Sequence, residues 1–147
     1  MRRVSFVWLL ALAGCVGEGT GLDPNGDPVG SGPPPPGSVS FAADIQPIFT
    51  ANCALSGCHA PPSPQLGQNL SAGNAYASIV NVTSVEVPTL ARVEPFDPES
   101  SYLVHKIQGT FPGVGGSGGR MPLGQGALPD ADIQLIRAWI ADGAPNN

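Results

Sequence analysis

Glycine and proline limit what this chain can fold into. Together they account for 37 of the 147 residues, and 13 of them fall within the 24 positions of 16–39. A segment of that composition has too few apolar side chains to form a core. The distribution therefore predicts a disordered tether over 15–39 and a folded domain over 40–147. It argues against a helical bundle or a coiled coil.

The residues before the tether have the pattern of an export signal. Arg2 and Arg3 precede a run of ten residues, Val4–Ala13, that is apolar except for Ser5. This is about half the length of a membrane-spanning helix and fits the hydrophobic part of a signal peptide. The sequence Leu-Ala-Gly-Cys ending at Cys15 resembles the lipobox of bacterial lipoproteins.

The lipobox resemblance implies a signal peptide over 1–14 that is removed, leaving a lipid on Cys15. The protein would then be anchored to a membrane in the cell envelope, on the periplasmic side or at the outer membrane or cell surface. The alternative is an ordinary signal peptide followed by a cysteine with no special role. The usual retention signal of such lipoproteins, an aspartate directly after the lipid-bearing cysteine, is absent because the next residue is Val16.

Removal of 1–14 leaves a strongly acidic protein. Four basic residues then face eleven acidic ones, for a formal charge of −7. Nucleic-acid binding needs a basic face, so this function is excluded. Protein partners with basic surfaces are expected instead.

Apolar periodicity predicts an all-α domain of four short helices joined by long loops. The first carries Phe41, Ile45, Ile48 and Phe49 and leads into Cys53. The second helix is predicted over Ser71–Val80. The third is predicted to be capped by Asp97, to have Pro98 as its first residue and to end at Gly109. The fourth is predicted from Pro129 or Asp130 to Asp142. Their inward residues are Tyr76, Ile79, Val80, Leu103, Val104, Ile107, Ile133, Ile136, Trp139 and Ile140. Such a small domain is expected to pack around a large central group.

Two cysteines and a histidine follow the first helix and predict a site for covalent haem. Cys53 is separated by four residues from Cys58, which His59 follows directly. Two thiols can form thioethers with the two vinyl groups of haem, and the adjacent imidazole can then reach the iron. The usual spacing is two residues, and the small Ala54, Ser56 and Gly57 allow the longer loop to bulge.

A methionine in a glycine-rich loop supplies a second candidate ligand. Met121 is the only methionine left after removal of the signal peptide, and it lies between Arg120 and Pro122. Its thioether can occupy the other axial position of a haem iron. The preceding Gly113–Gly118 fits the pattern GxGxxG, but no predicted strand precedes it, so we interpret it as a flexible loop rather than a dinucleotide site.

At this point the chain resembles the c-type cytochrome domains of bacterial lipoproteins, over about residues 40–145. The resemblance rests on the segments 41–49, 53–59, 101–107, 120–122 and 136–140. It implies a cytochrome c-like fold around one covalent haem c, with Cys53 and Cys58 as attachment points. It also implies His59 as the proximal iron ligand and Met121 as the distal one.

Other residues are expected to assist the haem. Pro61 or Pro62 is expected to orient His59 through a backbone carbonyl. Arg92 and Arg120 are candidates to bind the haem propionates, with solvated surface charges as the alternative. The protein is expected to carry single electrons between redox proteins rather than to act as an enzyme.

Two alternatives use the same residues. In the first, Cys53 and Cys58 form a disulfide in a haem-free lipoprotein with a binding or structural role. In the second, zinc binds to Cys53, Cys58, His59 and His105, although adjacent ligands suit a tetrahedral site poorly. His105 is also an alternative distal haem ligand, but its helical position places it away from the apolar stripe, where a solvated side chain is expected.

Overall fold

The structure, a computed structural model, describes residues 34–147. The predicted signal peptide, Cys15 and most of the tether lie outside the described residues. Within 34–147 the fold is all-α: there are four α-helices and no strand, only three isolated bridges between residues 80 and 101. No described helix has the length and apolar character needed to cross a membrane.

The first helical segment begins with a wide turn. A π-helical turn, Phe41–Ile45, continues directly into helix α1, Gln46–Asn52, with Pro47 in its first turn. Ser40 Oγ accepts the amide of Ala43 at 3.2 Å, and Asp44 Oδ2 accepts the amide of Ser40 at 2.8 Å. The acidic partner stands four residues after the cap rather than the three of an ordinary capping box, which suits the wider turn.

Helix α2, Ala75–Ile79, is shorter than the predicted Ser71–Val80. The predicted cap forms a turn instead, in which the carbonyl of Ser71 accepts the amide of Asn74 at 3.0 Å. At the other end the backbone of Val80 is extended and forms a bridge with Val93. Tertiary pairing therefore ends the helix one residue early.

Helix α3, Tyr102–Gln108, begins later than predicted. The carboxylate of Asp97 caps a turn by accepting the amides of Glu99 and Ser100, at 3.1 and 3.0 Å. The first amide of the helix, that of Tyr102, donates to the carbonyl of Ala91 at 2.9 Å. Asp97 was predicted to cap the helix, but it caps the turn that precedes it. The helix itself begins about one turn later than predicted. Its stop is confirmed, because Gly109 is left-handed with φ 81°.

Helix α4, Asp130–Ala141, matches its prediction and carries the centre of the core. Trp139 is fully buried, and its ring centre lies 5.2 Å from that of Phe41. Tyr76 meets the same Phe41 ring edge-on at 5.4 Å. Helix α4, α2 and the first segment therefore share one aromatic cluster. The predicted apolar stripes are buried, except that Tyr76 and Val80 are only half-buried.

The segment after α4 returns to the start of the domain. The side-chain oxygen of Asn147 accepts the amide of Phe41 at 2.8 Å, and its backbone carbonyl accepts the amide of Ala42 at 2.9 Å. Val39 is buried in the core just before the first turn. These contacts fix the helix that leads to Cys53.

Candidate functional site

A cavity of about 490 Å³ opens between α1, α3 and three loops. Its volume lies in the range of small-molecule and cofactor sites, about 300–1,000 Å³. Five residues singled out from the sequence line it: Cys53, Cys58, His59, Arg92 and Met121. The fold thus brings to one cavity residues that are widely separated along the chain.

The loop from Cys53 to His59 is closed by backbone hydrogen bonds. The amide of His59 donates to the carbonyl of Cys53 at 3.2 Å, and the amide of Cys58 donates to the carbonyl of Leu55 at 3.0 Å. Gly57 turns the chain with φ 80°, a conformation that side chains disfavour. The two additional residues therefore bulge, as predicted, while both cysteines and the histidine remain beside the cavity.

The imidazole of His59 is oriented by a backbone carbonyl. Its Nδ1 lies 3.1 Å from the carbonyl oxygen of Gln68, which makes Nδ1 the donor and leaves Nε2 with a free lone pair. The carbonyl of His59 in turn accepts the amide of Leu70 at 2.7 Å. The predicted partner, a carbonyl of Pro61 or Pro62, is wrong, because the chain passes beyond both prolines before it returns to the ring.

Burial is the largest effect on the pKa of His59 and lowers it. Backbone hydrogen bonding by Gln68 and Gln65 acts to raise the pKa, the positive charges of Arg92 and Lys106 act to lower it, and the pKa is lowered overall. These effects favour the neutral imidazole, the form that binds metals.

Both cysteines carry free thiols in the structure. Cys53 is only 9% exposed, whereas Cys58 is half-buried. Burial, with a contribution from Cys58, raises the pKa of the Cys53 thiol from 9.0 to about 11. Cys53 is therefore protonated near neutral pH and poorly reactive as a nucleophile.

Met121 reaches the cavity from the loop that follows the glycine-rich segment. Its amide donates to the carbonyl of Lys106 in α3 at 2.9 Å, and its half-buried side chain packs against the core. The thioether thus lines the same cavity as the imidazole of His59.

The 3-10 turn Phe111–Val114 begins the glycine-rich loop, and among the described residues no strand precedes it, so the dinucleotide pattern GxGxxG has no structural counterpart.

Arg92 is a buried cation at the wall of the cavity, 8% exposed. Its Nη1 donates to the carbonyl of Ser78 at 2.8 Å, and its Nη2 donates to that of Leu66 at 2.7 Å. No carboxylate of residues 34–147 forms an ion pair with it. Burial lowers the pKa of its guanidinium below the ordinary value, and the group remains charged. Three of its five N–H groups are left for another acceptor.

Arg120 was predicted, like Arg92, to bind a haem propionate, but it does not line this cavity. It is exposed and lines a second cavity, together with Gln108 at the end of α3 and Asp130 at the start of α4. The stem of Arg120 lies close to Gly109, where a Cβ would come within 3.1 Å of its Cδ. The position next to Met121 in sequence is misleading because the stem of Arg120 lies at the end of α3, whereas Met121 lines the first cavity.

His105 also lies outside the cavity, as its helical position predicted. It is half-buried rather than solvated: Nδ1 lies 2.9 Å from Thr110 Oγ1, and Nε2 lies 2.9 Å from the carbonyl oxygen of Glu99. The four residues of the zinc alternative therefore do not converge. Over residues 34–147 no group of three or more histidine, cysteine or acidic side chains is placed to hold a metal ion.

An ionic cluster that lines the same cavity as His59 was not predicted from the sequence. Glu86 Oε2 lies 3.1 Å from Lys106 Nζ and also accepts a hydrogen bond from the hydroxyl of Tyr102. Burial acts to raise the pKa of Glu86, but the bonds from Tyr102 and Lys106 outweigh it and lower the pKa overall. Burial and the bond to Glu86 raise the pKa of Tyr102. The spacing of Tyr102 and Lys106, four residues apart on a helix, was the one available signal.

Much of the remaining lining is apolar, although five uncharged polar residues also contribute to it: Asn52, Gln65, Gln68, Ser84 and Gln125. Leu70, Leu103 and Ile107 are buried at the bottom of the cavity, and the exposed side chains of Leu66 and Leu123 stand at its mouth. A planar apolar group with a few anionic substituents would match this largely apolar lining and the one buried cation of the cavity that has no carboxylate partner, Arg92.

Comparison of the chain with protein-family models, with curated proteins and with solved structures finds no match. The function is therefore inferred from the residues of the cavity.

Proposed function

We propose that the protein is a monohaem c-type cytochrome that carries single electrons in the cell envelope. The observation that supports this most is the convergence of two thiols, an imidazole with a free Nε2 and a thioether on one cavity of about 490 Å³. Thiols are what covalent haem attachment requires, and imidazole and thioether are axial ligands of haem iron.

The residues present suit the proposed group. The apolar side chains of Leu70, Leu103 and Ile107 would contact the macrocycle, and Arg92 would offer its unused N–H groups to a propionate. Each thiol S–H would add across a vinyl double bond, forming a C–S bond while the hydrogen goes to the neighbouring carbon. Cys53 and Cys58 would be the attachment residues.

When bound, haem supplies reversible one-electron chemistry. The protein contributes the two ligands, the dry surroundings and the fixed orientation. The carbonyl of Gln68 holds His59 in the tautomer whose Nε2 can bind iron, and the backbone bond to Lys106 holds Met121 at the cavity. Ligation by histidine and methionine favours a higher reduction potential than ligation by two histidines. A six-coordinate iron fits electron transfer better than catalysis on a bound substrate.

The location is part of the same proposal. Haem c attachment and an export signal belong together, because the signal over 1–14 would deliver the chain to the cell envelope and Cys15 would anchor it to a membrane. The tether would let the domain reach redox partners, and the acidic surface would favour partners with basic faces.

An absorption spectrum of the full-length protein in membranes tests the proposal. A sharp alpha band on reduction is expected, and the colour should remain with the polypeptide after denaturation. A protein with no haem spectrum and an oxidised Cys53–Cys58 pair would contradict the proposal and favour the haem-free lipoprotein.

A further inference from the structure

We infer that Lys106 is a positioning residue that fixes the loop carrying Met121, and so determines whether the thioether reaches the centre of the cavity. This inference rests on the proposed cytochrome function. It follows from the juxtaposition of the Lys106 ammonium, Glu86 and the glycine-rich loop on one wall of the cavity.

Lys106 holds the loop at two points. Its Nζ donates to the carbonyl of Ser117 at 3.0 Å, and its own backbone carbonyl accepts the amide of Met121 at 2.9 Å. The two contacts lie on either side of three residues, 118–120, two of which are glycine. A loop so rich in glycine has high conformational entropy, so it needs such contacts to keep one conformation.

The ammonium is itself held in place. Glu86 Oε2 accepts from Nζ at 3.1 Å, the ring centre of Phe111 lies 4.6 Å away, and the side chain of Lys106 is only 10% exposed. A lysine is rarely buried unless it is paired. The pairing with Glu86 and the contact with the ring therefore give Nζ one position, from which it reaches Ser117.

The loop also lies directly on α3. A side chain at Gly116 would collide with the hydroxyl of Tyr102, and a Cβ at Gly118 would lie 3.8 Å from Lys106 Nζ. Because Tyr102 donates to Glu86 as well, the cluster connects the loop over 84–87, helix α3 and the glycine-rich loop. Loss of the ammonium would free Ser117 and leave Glu86 with one partner.

Hydrogen exchange of the full-length protein measures this role directly. In Lys106→Leu we expect the two hydrogen-bonded amides of this loop, those of Gly116 and Met121, to exchange about ten- to a hundredfold faster, the factor for loss of one charge-assisted hydrogen bond. Lys106→Arg keeps the charge and the donors and should restore slow exchange. Arg137→Leu is the matched control, since Arg137 pairs with Glu99 on the surface, away from the cavity.

Amides of α4 in the same samples separate local from global effects. Faster exchange confined to 116–121 supports the inference, and equal acceleration in α4 or unchanged exchange in the loop overturns it. If Lys106→Leu does not fold, Glu86→Gln decides: it removes the ion pair that holds Nζ, and faster loop exchange supports the inference while unchanged exchange overturns it.

The optical spectrum distinguishes this inference from the proposed function. In oxidised protein, Lys106→Leu should lose the weak sulfur-to-iron band at the red end of the spectrum, whereas Lys106→Arg and Arg137→Leu should keep it. Wild-type protein without covalent haem would refute the cytochrome proposal, while the exchange rates would still decide whether Lys106 positions the loop. Retention of the band in folded Lys106→Leu would overturn the inference alone.

Discussion

Replacement of Arg92 by alanine should destabilise the domain more than loss of the exposed Arg137–Glu99 ion pair does. The change removes two hydrogen bonds from a buried guanidinium, at 2.8 Å to Ser78 and 2.7 Å to Leu66. A hydrogen bond to a charged group contributes about 1.5–3 kcal/mol. Leu66 is exposed, so water can reach its freed carbonyl, and we expect the free energy of unfolding to fall by about 2–4 kcal/mol rather than by the full sum.

Two further variants are compared with Arg92→Ala. Arg92→Lys keeps the charge, but one ammonium is poorly shaped to bridge both carbonyls, so about half of the loss should remain. Arg137→Ala removes the ion pair with Glu99, whose side chain is 70% exposed, and should cost about 0.2–1 kcal/mol.

Urea denaturation followed by circular dichroism measures the three values, provided that all variants carry the same amount of haem. If Arg92→Ala cost no more than Arg137→Ala, the bonds to Ser78 and Leu66 would contribute nothing, and the assignment of Arg92 as a fixed cation in the cavity wall would be refuted.

Three other predictions concern the ligand, the anchor and the thiols. Met121→Ala should open one coordination position, lower the reduction potential and allow carbon monoxide to bind, whereas His105→Ala should leave the spectrum unchanged; the reverse result would reject the ligand assignment. Cys15→Ser should abolish incorporation of labelled fatty acid, and labelling that persists would reject the lipobox. In haem-free protein at pH 8, alkylation should reach Cys58 before Cys53, because a pKa of about 11 in place of 9.0 reduces the Cys53 thiolate about a hundredfold; equal rates would show that Cys53 is not buried.

The helices could be predicted where capping and periodicity agree with tertiary packing. For α4, Pro129, the apolar stripe and Gly143 all indicate the same bounds, and the structure has a helix over Asp130–Ala141. For α3, Asp97 and Pro98 predict the start of the helix, but they form a turn that precedes it. The helix begins at Tyr102, where the amide donates to the carbonyl of the distant Ala91. Such a contact cannot be read from residues near the helix start.

The candidate site was predictable where the chemistry is concentrated in a short motif. The candidate attachment and ligand residues Cys53, Cys58 and His59 lie close together in sequence. Met121 is distinctive because it is the only methionine outside the predicted signal peptide. Arg120 shows the limit, since proximity to Met121 in sequence does not put it in the cavity. The partner of His59, Gln68, and the cluster of Glu86 with Lys106 depend on how loops fold back, for which the sequence has no periodic signal.

Mass spectrometry of the denatured protein tests the central proposal most directly. A proteolytic peptide containing Cys53–His59 should carry the added mass of one haem, and haem staining on a denaturing gel should disappear in the double variant Cys53→Ala, Cys58→Ala. An unmodified peptide with free thiols or a disulfide, from protein made in a host that attaches haem to a known c-type cytochrome, would contradict the proposal.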